Sequence, residues 1–217
     1  MSVLNNSSIL LLGSAEAADA YQISRSLRFN SSDSAYLSRT PSVAGNRKTW
    51  TWAGWVKRGL LGVEQRFFSA STANTNSSLF EFTSGDQLSI LNYVSSSIKT
   101  HRVTTQVFRD PSAWYHIVVA SNSSTSFNVY VNGAEITTFS SSTGPDASDW
   151  FFNATNLHTV GTTSYSLANY FSGYLADVHL IDGAALTPSS FTETDATTGQ
   201  LVPKTYTGGY GTNGFKL

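Results

Sequence analysis

The sequence predicts an all-β chain built as a two-sheet antiparallel sandwich. Three observations carry this expectation. The segment Trp114 to Gly133 reads WYHIVVASNSSTSFNVYVNG, an apolar run, a polar turn, an alternating run and an Asn-Gly pair. Period-two alternation that ends in Asn-Gly marks a hairpin, because both residues of a tight hairpin turn must accept positive φ. Many short runs rich in Val, Ile, Phe and Trp recur between turn residues, and no segment of useful length repeats at helical period.

The elements follow in order. Ser26 to Asn30 alternates, with Leu27 and Phe29 inward. Thr49 to Lys57 carries Trp50, Trp52 and Val56 on one face and Trp55 on the other, so this strand is expected to be covered on both sides. Gly54 inside it marks a bulge or a close backbone approach. Leu79 to Phe82 and Gln87 to Tyr93 flank Ser84-Gly85-Asp86, a second hairpin. Trp114 to Ala120 is apolar on both faces and reads as a central strand. Thr125 to Asn132 places Phe127, Val129 and Val131 opposite Asn128, Tyr130 and Asn132, and Ala134 to Phe139 should return from the turn. Late in the chain, Tyr174, Ala176, Val178 and Leu180 are expected on one face, opposite Leu175, Asp177, His179 and Ile181. Thr187 to Phe191 can form one short helical turn, with Thr187 as cap and Pro188 in the first position.

At 217 residues and a net charge of −1, the chain fits one β domain. Only 12% of residues are charged, and Ser, Thr and Asn take the exposed positions. Nucleic-acid binding through phosphates needs clustered Lys and Arg, which are absent here, and polybasic attachment to a membrane fails for the same reason. With 0 cysteines there is no disulfide, zinc-thiolate site or thiol nucleophile. The four-residue apolar run Ile9, Leu10, Leu11, Leu12 is too short for a membrane span and lacks the basic start of a signal peptide. Residues 1–23 are therefore expected to be a retained arm that docks on a neighbour through Ile9 to Leu12. Residues 24–191 would form the domain, and residues 192–217 a Gly-rich tail wrapped on the domain or on a partner.

Four pieces resemble the laminin-G-like, concanavalin A-like jelly-roll superfamily. They are Ser26 to Asn30 with Tyr36-Leu37, Trp52 to Lys57, Trp114-Tyr115-His116 leading to Val129 to Gly133, and Phe171 to Val178. The resemblance covers roughly residues 24–190 and implies a jelly-roll body. Tyr36 to Pro41 and Pro203 to Phe215 are similar to aquatic bacteriophage virion proteins that carry this domain. Those relatives continue into further modules where this chain stops at Leu217, which leads us to expect a small stand-alone virion component.

The superfamily includes retaining glucanases, whose signature is Glu-x-Asp-x-(x)-Glu on one strand with two carboxylates about 5 Å apart. Glu193-Thr194-Asp195 lacks the third acid, so no catalytic residue is assigned and the chain is not expected to be an enzyme. No nucleophile elbow or paired metal-binding histidines occur. Gly209 to Gly214 matches Gly-x-Gly-x-x-Gly, but only three residues follow it, so it reads as tail. His116, Trp50, Trp52 and Trp114 are expected in the core. Calcium, which the resemblance brings into view, has Asp146, Asp149 and Asn153 as weak candidates. A sugar site needs an aromatic face with amides nearby. Trp150, Tyr165, Asn169 and Tyr170 offer one, unless these aromatics cap the sandwich edge or fill an interface.

The expectation is a non-enzymatic structural protein on a virion surface, as a capsid decoration or a tail-fibre-associated subunit. It would be a homo-oligomer in contact with other virion proteins and with host polysaccharide, without nucleic acid or membrane insertion. A stand-alone soluble lectin is the alternative.

Overall fold

The computed structural model describes residues 21–122 and 125–217; the run Ile9 to Leu12 and most of the expected arm lie outside them. The described strands are β1 (Leu27–Phe29), β2 (Leu37–Arg39), β3 (Thr49–Arg58), β4 (Gln65–Ala73), β5 (Asn76–Phe82), β6 (Gln87–Val94), β7 (Ser97–Val107) and β8 (Tyr115–Asn122). They continue as β9 (Ser126–Val131), β10 (Ala134–Glu135), β11 (Phe139–Thr143), β12 (Leu157–Val160), β13 (Gly173–Asp182), β14 (Thr192–Thr194), β15 (Leu201–Pro203) and β16 (Phe215–Lys216). The first sheet has the order β1-β13-β3-β8-β9-β10, with β16 pairing further along β13. The second runs β11-β7-β6-β5-β4-β12-β2, and β14 pairs with β15 outside both. The result is a two-sheet antiparallel jelly-roll sandwich. No helix among the described residues is long and apolar enough to cross a membrane.

Two aromatic layers make the core. Trp50 and Trp52 of β3, Ile117 and Val119 of β8, and Phe127 and Val129 of β9 face Phe68, Phe80, Phe82, Leu88 and Ile90 of the second sheet. Trp52 meets Phe80 edge-on at 5.7 Å, and Phe68 stacks on Phe152 at 4.8 Å. Gly54 is a close approach: a Cβ there would lie 3.0 Å from the Trp52 ring. The Asn132-Gly133 turn has φ of 51° and 81° and joins Val131 to Ala134 across two residues. Asn132 ties it to β8, its side-chain oxygen accepting from the His116 amide at 2.8 Å and its own amide donating back to the His116 carbonyl at 2.8 Å.

Three details of the strands differ from the sequence expectation. The return strand after Asn-Gly is only Ala134–Glu135, and the chain then crosses to the second sheet as β11. On β13 the register slips between Ala176 and His179, with Asp177 in the left-handed region at φ 48°. This bulge inverts the alternation, so Leu175 joins Val178 and Leu180 in the core instead of facing away from them. Trp114 precedes the first paired residue of β8 and is 36% exposed rather than buried.

Trp150 is not exposed: it is 2% accessible and lies between the sheets. It stacks on Phe127 at 5.2 Å and on Phe152 at 5.8 Å, with Trp50 edge-on at 4.9 Å. The loop is pulled inward by its backbone, since the Trp150 amide donates to the Arg47 carbonyl and the Phe151 amide to Ser78 Oγ. Replacing Trp150 by Ala should lower stability by about 3–5 kcal/mol in urea denaturation, the range for deleting a large buried aromatic. A loss under about 0.5 kcal/mol, the level of a surface residue, would contradict the packing.

Candidate functional site on the outer face of the first sheet

The bulge in β13 turns the Asp177 carboxylate to the outer side of the first sheet, where it gathers both ends of the described chain. Tyr21 Oη donates to it at 2.7 Å, Lys216 Nζ lies at 2.9 Å, and His179 Nε2 at 3.3 Å. His179 Nδ1 pairs with the Tyr210 hydroxyl at 2.9 Å, and the two rings stack. Burial pushes the Asp177 carboxyl up, but the hydrogen bonds from His179, Tyr21 and Lys216 outweigh it and hold the group well below the usual carboxylate range.

Strand register sets out the rest of this face. One row runs Arg28, Tyr174, Lys57 across β1, β13 and β3; the next runs Ala176, Trp55, His116 across β13, β3 and β8. Their sequence neighbours Phe29, Val56, Leu175 and Ile117 enter the core, so alternation directs both rows outward. Trp114 joins the first row, its ring 6.4 Å from that of Tyr174. Farther along, Ala53, Val118 and Ile181 are covered by Phe191, with Tyr206 and Tyr210 packed around it. The tail segment thus closes one half of the face and leaves the other open.

The open half holds a cleft of about 640 Å³. Trp55, Trp114 and Ala176 line it, with Tyr21 to Ser26 as one wall and Asp195, Val202 and Pro203 of the β14–β15 hairpin as another. His116 lies against Trp55, ring to ring at 5.0 Å, and burial lowers its pKa to about 4, so it is uncharged at neutral pH. The cleft therefore presents indole surface with hydroxyl, amide, guanidinium and carboxylate groups around it. That set can stack on a pyranose ring and hydrogen-bond its hydroxyls.

The residues singled out in the sequence are placed elsewhere. Tyr165 and Asn169 lie on the outer side of the second sheet. There Arg66 Nη1 donates to Tyr165 Oη at 3.3 Å and Asn169 bonds the Glu64 carboxylate, while Tyr170 tilts toward Tyr36 at 6.3 Å. With Trp150 inside the core, the four do not converge on one ligand. The calcium candidates also separate. Asp149 pairs with Arg47 at 3.1 Å, Asp146 accepts from the Ser148 amide, and Asn153 is buried with its Nδ2 on the Asn46 carbonyl. These residues do not fit a calcium site, and among the described residues no group of three or more His, Cys, Asp or Glu is arranged for a metal. Trp55 was visible in the sequence as the odd-facing tryptophan of β3. The cleft walls come from segments more than 100 residues apart, for which the sequence carries no local signal.

The chain belongs to the concanavalin A-like lectin/glucanases superfamily, which matches residues 29–190. A heptameric SAP-like pentraxin from Limulus polyphemus has the same fold, with 15% identity, 91% of this chain and 92% of that chain covered, and a TM-score of 0.54. Mouse laminin α1 domains LG4-5 give 10% identity, coverage of 91% and 48%, and 0.55. Tailspike protein 2 of Escherichia coli O157:H7 bacteriophage CAB120 gives 16% identity, coverage of 76% of this chain and 23% of that one, and 0.55. Comparison with curated proteins found no match.

The Asp177 cluster has a defined pH signature. Its folded pKa is depressed, so its stabilisation is present above the unfolded value of about 3.9 and is lost as pH falls below it. Asp177→Asn should cost about 2 kcal/mol at pH 7, judged from hydrogen bonds to a charged group. The gap to the unsubstituted protein should close on acidification below about pH 4, read by denaturant titration at several pH values. A gap independent of pH would contradict the assignment.

Proposed function

We propose that this chain is a non-enzymatic, lectin-like structural component of a bacteriophage particle that presents the outer face of its first sheet to host surface glycans. The observation that carries the glycan part is the cleft beside Trp55 and Trp114, where exposed indole surface sits among polar side chains. Aromatic faces of this kind bind sugar rings through their C–H-rich sides, and the polar rim supplies orientation.

The acids favour binding over bond cleavage. A glycosidase needs two carboxylates facing across a scissile bond. Glu81 and Glu64 instead share the Arg66 guanidinium, at 2.9 Å and 2.6 Å. Asp195 spends its carboxylate on the amides of Thr197 and Thr198. The phage setting rests on the resemblance of Tyr36 to Pro41 and Pro203 to Phe215 to virion proteins. The fold shared with a phage tailspike agrees with it. In this reading Ile9 to Leu12 attach the domain to other virion proteins, and self-association agrees with a heptameric relative in fold.

The full-length protein should bind surface polysaccharide of its host on a glycan array, and Trp55→Ala or Trp114→Ala should weaken that binding at least about tenfold, a loss of roughly 1.4 kcal/mol. No reducing ends should appear on incubation. Undiminished binding by both variants would remove the cleft from the account, and hydrolysis abolished by Glu81→Gln would replace it with an enzyme. Mass spectrometry of purified particles should detect the chain; glycan binding by a chain absent from particles would favour the free lectin.

A further inference from the structure

We propose that the ligand of this face is an acidic polysaccharide, with sugar rings on Trp114 and Tyr174 and anionic groups held by Arg28 and Lys57. This deepens the glycan-binding reading and rests on it. Arg28 and Lys57 flank Tyr174 on the two neighbouring strands, which puts their backbones on the order of 10 Å apart across the face. Tyr174 lies between them and Trp114 beyond Lys57; each is 36% exposed, with the rings 6.4 Å apart. Cation, aromatic, cation and aromatic thus follow one another across β1, β13, β3 and the residue that precedes β8.

The charges are also unspent. Arg47, Arg58, Arg66 and Arg109 each pair with a carboxylate, whereas Arg28 and Lys57 make no ion pair among the described residues. The acids nearby are engaged. Asp110 accepts from the amide and hydroxyl of Ser112, which hold its carboxyl below the usual range, with a smaller contribution from Lys57. Asp195 caps its own turn, and Asp177 is buried against Lys216. Arg28, Lys57 and Arg25 of the cleft wall thus stand beside the exposed aromatics with no carboxylate within ion-pair distance among the described residues. A second hollow of about 350 Å³, lined by Arg28, Asn30, Ser172 and Tyr174, continues the path beyond the cleft. An extended polymer fits this path better than a single sugar. The guanidinium of Arg28 matches a planar carboxylate or a sulfate through paired N–H donors. Arg25, Arg28 and Lys57 together are too few to grip a nucleic-acid backbone.

The test is calorimetric titration of the full-length protein with polygalacturonate, dextran sulfate, neutral dextran and duplex DNA, at about 50 mM and about 500 mM salt. Binding of an acidic polysaccharide is expected, weakened by salt. The double substitution Arg28→Gln, Lys57→Gln should weaken it at least about tenfold, the scale of losing charge-assisted hydrogen bonds. Both sites are exposed or half-exposed, so the melting temperature should not move, which separates lost binding from lost folding. Polygalacturonate against dextran sulfate tells carboxylate from sulfate recognition, and either one supports the proposal. Equal affinity in the double variant, a preference for neutral dextran, or equally tight duplex DNA would overturn it; the first two leave the glycan reading standing. Binding to no polysaccharide on any panel would overturn both.

Discussion

One extra residue in β13 governs the arrangement of the molecule. By taking left-handed φ, Asp177 shifts the register of a central strand, so that Leu175 and Val178 both reach the core. The same step turns a carboxylate onto the outer face, where Tyr21, His179 and Lys216 converge on it. A buried carboxylate in a sheet is costly unless it is fully paired. Of the partners that satisfy it, Tyr21 begins one wall of the cleft and Lys216 belongs to the strand that extends the sheet. Core register, both ends of the described chain and one wall of the outer-face cleft are thereby coupled through one side chain.

That coupling explains which parts of the fold were legible in the sequence. The Asn132-Gly133 hairpin, the inward Trp50 and Trp52 and the close approach at Gly54 each follow from local rules of φ, alternation and side-chain size. The faces of β13 did not, because nothing in Tyr174 to Ile181 distinguishes a regular strand from one with a bulge at Asp177. Strands β4 and β7 carry weak sequence signals for related reasons. β4 has a register slip between Arg66 and Phe68, and β7 carries Thr100, Arg102 and Thr104 where apolar residues would have marked its buried face.

The site was less legible than the fold. Trp150 looked like a loop aromatic, yet its backbone bonds to Arg47 and Ser78 draw it between the sheets. Trp114 looked like the head of a central strand, but it lies just outside the ladder and stays at the surface. The two tryptophans thus exchange roles: backbone bonds and ring stacking draw Trp150 inward, and Trp114 stays out because the ladder begins after it. Trp55 could be placed on the outer face by alternation, while its neighbours in the cleft come from both ends of the chain. Arg28 and Lys57, which make no ion pair among the described residues, stand out only once register sets them beside Tyr174.

The five tryptophans permit a direct test of where recognition occurs. Indole N–H resonances of the full-length protein, followed by NMR during titration with an acidic oligosaccharide, report each ring separately. Trp55 and Trp114 should shift with ligand, while Trp50, Trp52 and Trp150, which are sealed in the core, should stay fixed. Backbone amide shifts confined to the second sheet around Arg66 and Tyr165 in the same titration, with the Trp55 and Trp114 indoles unmoved, would contradict the account.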